Sequence, residues 1–414
     1  NERTIEAGIN YYEFKYREAD YGPYPKGLMY YLTMMDSWLY DETKPFIHIE
    51  AGDTFDELKK NARNGYFEKL IKEYLLDNNH KSIISLVPEY GLEKEKEQKE
   101  ADKLAEYKST LTNDELEELV KKTKELKEYQ DTPSSQEDLE KIPMLELSDI
   151  KREPAKDYND VKSVDGIKIV HHNIFTNKIA YINMSFDTKC VPDELIPYMG
   201  LLGSTLSLMD TKNYTYPELT NEININCGGL ATGTALYSDK VDFSKNTIVY
   251  EVKSKALYEK VPFVLGMMEE IMYNTRFDDY KRLKEIIARI KSRLEASLMG
   301  QGHSIAMLEC CAQFSESAYY SDILRGYKYY EFIKKLDEEF EQNKTQIVDK
   351  LNKLVGYIFN KDNVIVSLTA DDEGYDCFVK ALSAKSCNIK DEHYNTAVRS
   401  FIPVNVKTGY TSAS

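Results

Sequence analysis

Histidine is the scarcest chemistry-bearing side chain in this sequence, with six in 414 residues, at positions 48, 80, 171, 172, 303 and 393. None forms His-Glu-x-x-His or the inverse His-x-x-Glu-His, the spacings that put two imidazoles and a carboxylate base on one helical face. His171 and His172 are adjacent in a strand-like run, so they point to opposite faces and cannot chelate one ion together. Both read as structural or surface groups. His303, in Gly300-Gln301-Gly302-His303-Ser304, sits at a loop-to-helix start. There the imidazole or the Ser304 hydroxyl would cap the helix, and contact with a substrate is the sharper alternative. No Gly-x-Ser-x-Gly elbow presents a nucleophilic serine. Asp371-Asp372-Glu373 is an acidic turn after an apolar run; it could bind a cation weakly but lacks the spacing of a calcium loop. The 19 glycines are dispersed and make no phosphate-cradling loop. On its own residues the chain offers no catalytic, cofactor-binding or metal-ligating set.

The six cysteines, 190, 227, 310, 311, 377 and 387, are scattered without metal spacing. Cys310 and Cys311 fall inside the apolar helical pattern Ile305, Met307, Leu308, Cys311, Phe314. Six thiols with no secretion signal predict a reducing compartment and mostly buried free thiols, with a disulfide framework as the alternative.

Composition excludes two function classes. Lys+Arg of 54 against Asp+Glu of 70 leaves a net charge of −16, the wrong sign for a nucleic-acid binder. Mean hydropathy is −0.54. The most apolar stretch, Leu195 to Met209, contains Pro197 and two glycines and is shorter than the ~20 residues of a bilayer span. The length suggests two or three domains. Asn1 opens directly into helix-forming sequence, and Lys407 to Ser414 ends in polar residues. Both ends read as cuts from a longer chain.

Periodicity organises the rest. Residues 1–89 read as helices ending in one strand: a stripe Ile5, Ile9, Tyr12, Tyr16, a second Leu28, Tyr31, Leu32, Met35, Trp38, Leu39, a helix Tyr66–Leu76, and a strand Ser82–Val87 ended by Pro88. Residues 90–135 read as a charged helical hairpin with narrow apolar seams, entered on its second helix through the capping box Thr112-Asn113-Asp114-Glu115. The seams should close on each other in an antiparallel pair. Its charges are a docking surface or simply a solvated face. Residues 136–162, with Pro143 and Pro154, read as a linker. Residues 163–405 form an α/β unit, with strands at 166–172, 179–186, 230–237, 247–252 and 363–369. Its helices lie at 194–209, 216–226, 257–273, 279–299, onward to about 355, and at 375–382. Residues 406–414 would begin a following segment. The class is α+β: a mixed sheet with helices on one face.

This ordered set resembles the insulinase/pitrilysin clan of inverted zinc metallopeptidases, in its presequence protease and falcilysin branch. The resemblance rests on Arg17-Glu18-Ala19-Asp20-Tyr21-Gly22-Pro23-Tyr24-Pro25-Lys26-Gly27-Leu28, the hairpin 90–131, and His172-Asn173-Ile174-Phe175-Thr176-Asn177-Lys178-Ile179 with Tyr181. Asp210-Thr211, Cys227-Gly228-Gly229 and Gly302-His303-Ser304 are further landmarks. It implies four α/β repeats in two halves around a closed chamber, with this chain covering the end of repeat two, the connector and repeat three. Counting back from Asp210-Thr211, the zinc motif of the clan falls on Leu201-Leu202-Gly203-Ser204-Thr205, which has neither imidazole nor carboxylate. The resemblance therefore carries no ligand and no catalytic base onto this chain, and substrate-contacting Arg and Tyr residues of a last repeat would lie beyond Ser414.

The implied reaction of the whole polypeptide is zinc-dependent hydrolysis of unfolded peptides by metal-activated water. The connector would be its hinge, and the acidic wall would favour basic, presequence-like peptides. Zinc belongs to the full-length enzyme and none to this chain. The implied partners are peptide substrates and the remaining N- and C-terminal parts of the same polypeptide, with no nucleic acid and no membrane. The cytoplasm is the expected compartment, or an organelle matrix if a transit peptide has been cut away. The competing reading is a non-enzymatic interaction module on a degenerate peptidase fold.

Overall fold

Aromatic-rich helices open the chain: α1 (Glu2–Glu18), α2 (Lys26–Trp38), α3 (Gly52–Ala62) and α4 (Tyr66–Leu70), which runs into a π-helical turn at Ile71–Leu76. The computed structural model describes residues 2–153, 158–242, 245–384, 388–398 and 401. They fall into two compact units, residues 1–69 with 157–414, and residues 70–156. The buried face of α1 is not the stripe read from hydropathy. Ala7, Ile9, Glu13 and Glu18 are buried, while Tyr12 is exposed. Charge pairing decides this: Glu13 accepts from Arg17 at 2.7 Å and also pairs with Lys59 of α3, so a carboxylate outranks a tyrosine as the inward residue. Phe14 of α1 lies against Gly228, where a Cβ would stand 2.1 Å from the ring.

The second unit holds α5 (Leu92–Thr110), α6 (Asn113–Asp131) and α7 (Gln136–Glu140). The capping box at the start of α6 is formed: Glu115 N–H donates to Thr112 Oγ1 at 3.3 Å, and Thr112 N–H donates to Glu115 Oε2 at 2.8 Å. The seams do not close on each other, and Leu104, Leu119, Val120 and Leu126 all stay exposed. Each seam is one residue wide, too little apolar area to offset the ordering of two long polar helices. The segment Ser82–Val87 is also not a strand. It is irregular and open, with Ile83 95% exposed, because alternation makes a strand only beside a hydrogen-bonding partner.

The remaining chain folds as the sequence leads one to expect, with one addition. Strands β1 (Asp160–Val164), β2 (Ile167–Asn173), β3 (Ile179–Asp187), β4 (Leu230–Ser238), β5 (Asn246–Leu257) and β6 (Val364–Ala370) form one sheet in the order β1-β2-β6-β3-β5-β4. Only β2–β6 is parallel. β1 lies in the stretch that reads as linker. Its signal is the dipeptide Asp165-Gly166, with φ of +51° and +80°, the two-residue hairpin turn that Asp-Gly favours. Residues 154–157 of the expected linker lie outside the described residues, as do Cys387 and 402–414, including the expected segment 406–414.

The helices of this unit are α8 (Ile196–Thr205), α9 (Tyr216–Asn226), α10 (Val261–Asn274), α11 (Tyr280–Gly300), α12 (Gly302–Cys311), α13 (Glu316–Arg325), α14 (Tyr327–Glu338), α15 (Phe340–Ile358) and α16 (Asp372–Ser383). They cover one face of the sheet. On that face the register aligns Tyr250, Phe186 and Val364, and next to them Val252, Met184 and Val366, all buried. Phe359, just past α15, packs edge-on against Phe186 at 5.1 Å and Tyr250 at 5.5 Å. The architecture is α+β, a mixed six-stranded sheet with one helical layer.

Candidate functional site: the uncovered face of the sheet

A strand period of two sends every second side chain to the face without helices. Register puts Ala231, Lys253, Asn183 and Ser367 in one row across β4, β5, β3 and β6. A second row holds Gly233, Glu251, Ser185 and Ile365, and a third runs Lys255, Tyr181, Thr369 and His172. This face is polar and carries a groove of about 400 Å³. Asn183, Lys253, Ser367 and Thr369 are in its floor, and the Gly228–Ala231 end of β4 keeps one side low.

Glu251 is the electrostatic centre of the face. It is 5% exposed and accepts from Asn183 Nδ2 and Tyr237 OH, both at 2.8 Å, while Lys253 Nζ pairs with its other oxygen at 2.6 Å. Burial pushes its carboxyl up, but the hydrogen bonds from Lys253, Asn183 and Tyr237 outweigh it and hold the group below its ordinary 4.5. A depressed folded value means stability present above about pH 4.5 and lost as pH falls through that lower value. Glu251→Gln is expected to cost about 1–3 kcal/mol near neutral pH, because the amide satisfies fewer of these donors. Urea unfolding from pH 7 down to 3 checks it: the gap to wild type should shrink toward the acid end.

The paired histidines separate as expected for a strand. His171 is fully buried on the helical side, stacked on Tyr375 at 4.6 Å. Its Nε2 donates to the Ala370 carbonyl at 3.0 Å, which leaves Nδ1 to accept from Lys162 Nζ at 3.1 Å. His172 is on the open face. Its Nδ1 donates to the Tyr158 carbonyl at 2.9 Å, so its Nε2 accepts from Ser367 Oγ at 3.0 Å. The Ser367–His172 pair has the spacing of nucleophile and base. However, β6 is hydrogen-bonded on both sides, so its backbone N–H groups are spent and cannot receive an oxyanion.

The other candidates have local roles. His303 is exposed, and neither it nor Ser304 caps α12, whose N-cap Gln301 makes no side-chain bond. His48 and His80 are exposed. Asp371 caps α16 through Gly374 N–H at 3.0 Å and accepts from Tyr258 OH at 2.8 Å, while Asp372 accepts from Asn173. The acidic turn is therefore a helix start. Of the thiols, Cys190 and Cys227 are buried, Cys311 and Cys377 partly so, and Cys310 is exposed, so burial is less general than expected. Among the described residues Asp362, Asp391 and His393 bring ligand atoms within 4.8 Å of one another; all three are exposed, and their separation in sequence hides them from a reading by spacing.

The five positions where a zinc motif would fall belong to α8. Leu201, Leu202 and Thr205 are fully buried. Thr205 Oγ1 bonds back to the Leu201 and Leu202 carbonyls, and Thr232 Oγ1 donates to Gly203 O at 3.1 Å. A Cβ at Gly203 would stand 3.2 Å from the Gly233 Cα, so helix and sheet touch there. These residues do not fit a zinc ion, because they supply no ligand atom and no room for one.

A family model for the peptidase-associated region of metallopeptidase subfamily 16C matches residues 86–336, more than half of the chain and including α5, α6, five of the six strands and α8. The chain belongs to this peptidase family. Its branch is the presequence protease-like one of the insulinase clan. Protein HypA of Clostridium perfringens is 39% identical over 400 residues, covering 95% of this chain and 41% of that protein. Presequence protease 1, chloroplastic/mitochondrial, of Arabidopsis thaliana is 29% identical over 373 residues, 89% of this chain and 34% of that protein. The mitochondrial presequence protease of Drosophila melanogaster is 26% identical over 299 residues, 72% and 28% respectively. This peptidase-family chain thus spans about two fifths or less of these relatives. None of its described helices is long and apolar enough to cross a membrane.

Proposed function

We propose that this chain supplies a hinge connector and a non-catalytic chamber wall to a zinc-dependent peptidase that degrades unfolded peptides. The observation that carries this reading is α8. It occupies the place of the zinc helix in a peptidase-family repeat, and it is packed into the core as an apolar, glycine-containing helix. Hydrolysis is therefore assigned to a zinc site elsewhere in the polypeptide, and this chain contributes the polar sheet face along which a peptide would lie. Basic, presequence-like peptides are the assigned substrates, on the strength of the −16 net charge. The free thiols favour a reducing compartment, which we assign as the cytoplasm.

An internal parallel supports reading residues 1–89 as the end of a preceding repeat. Tyr74-Leu75-Leu76 is followed after five residues by Ser82-Ile83-Ile84-Ser85-Leu86-Val87. Tyr357-Ile358-Phe359 is followed after four by Val364-Ile365-Val366-Ser367-Leu368-Thr369. The second of these strands is seated between β2 and β3; on this reading the first is seated likewise in a sheet outside the described residues.

The test is to read the coding frame upstream of the Asn1 codon and assay both the whole polypeptide and this chain on a fluorogenic unstructured peptide. The expected result is a His-x-x-Glu-His helix upstream, chelator-sensitive cleavage by the whole polypeptide and none by this chain. A frame without the motif would make the protein a structural module instead.

A further inference from the structure

Among helices α8 to α16, α12 alone buries no residue fully. Two contacts hold it. Leu308 fills the space beside Gly326, where a Cβ would stand 2.9 Å from Leu308 Cδ2. The other contact is ionic. Asp322 of α13 is fully buried, and its Oδ1 accepts from Lys328 N–H at 3.2 Å. Its Oδ2 and the Oε2 of Glu309 on α12 are both sealed from solvent, and neither receives a hydrogen bond. The two carboxyl groups are nonetheless in hydrogen-bond contact. Lys328 Nζ stands 3.2 Å from Asp322 Oδ2, off the hydrogen-bonding direction, and 3.7 Å from Glu309 Oε1.

Two sealed acceptor oxygens facing each other require a proton on one of them. We propose that α12 is latched to α13 by a single proton shared between Glu309 and Asp322, and that its loss frees α12. The charged groups facing Glu309 are Asp322 from α13 and Lys328 and Glu331 from α14. The hydrogen bond to Asp322, then burial, raise the Glu309 carboxyl above its ordinary 4.5, and Lys328 works against them. A raised folded value means a contribution present in full below about pH 4.5 and lost as pH rises through the raised value. The latch is closed in acid and opens toward neutrality. What opens is a helix whose joint, Gly300-Gln301-Gly302, carries two glycines.

Hydrogen exchange of the whole chain at pH 5 and 7.5, corrected for intrinsic rates, tests this directly. Protection of amides 304–312 should fall several-fold from acid to neutral pH, with no change in the α15 core amides 347–354. Glu309→Gln, whose amide donates to Asp322 at every pH, should keep the helix protected at both. Unchanged protection in wild type, an equal fall in α15, or an equal fall in Glu309→Gln would each overturn the latch. The Glu309 position is chosen because Asp322→Asn would also disturb the packed Gly326 turn.

Discussion

Writing the missing motif into α8, as Leu201→His, Ser204→Glu and Thr205→His, is expected to unfold this chain rather than give it zinc. Leu201 and Thr205 are fully buried. Removing the leucine forfeits about 1.5–3 kcal/mol of apolar burial. Each imidazole or carboxylate left without a partner adds about 1–3 kcal/mol, so the three changes together exceed about 5 kcal/mol. That is comparable to the whole stability of an ordinary domain, about 5–15 kcal/mol. Metal analysis after gel filtration, alongside urea unfolding, decides the point. A folded variant with one zinc per chain would show that α8 leaves an open site, and the reading of this repeat as non-catalytic would fall.

Removal of residues 90–131 from the whole polypeptide is expected to abolish peptide cleavage while leaving its bound zinc in place. The two helices carry no buried side chain of their own, so their loss should not unfold the α/β unit. Their value on the proposed reading is mechanical: they tie two halves that must close for the reaction to proceed. Activity on a fluorogenic peptide should drop to background with zinc stoichiometry unchanged. Retained cleavage would remove the hinge role, and lost zinc would mean that the connector supports the metal site instead.

Local signals in the sequence are sufficient for much of the α/β unit. Asn363–Thr369 and Ile179–Phe186 read as strands from β-branched and apolar runs, and they form β6 and β3. The capping box at Thr112 and Glu115 is legible because both partners lie within one turn. The Asp165-Gly166 hairpin is equally local, yet it lies in a stretch whose polarity reads as linker. In contrast, Ser82–Val87 has a strand's pattern and no strand, since pairing depends on a partner that local sequence does not specify. Glu13 of α1 is hidden for a related reason: its burial is decided by Lys59, 46 residues away.

What the sequence determined by itself is the kind of protein: an acidic α+β chain of the presequence protease-like branch, with no ligand set at the place of the zinc motif. These follow from residue types and short spacings, which need no folding to be read. Tertiary structure alone decided which side chains meet. Asn183, Tyr237, Glu251 and Lys253 converge from three strands, His172 finds Ser367 across 195 residues, and Glu309 faces Asp322 between two helices. Strand order and helix docking bring such groups together, and both are set by burial summed over the whole core rather than by any local run of residues.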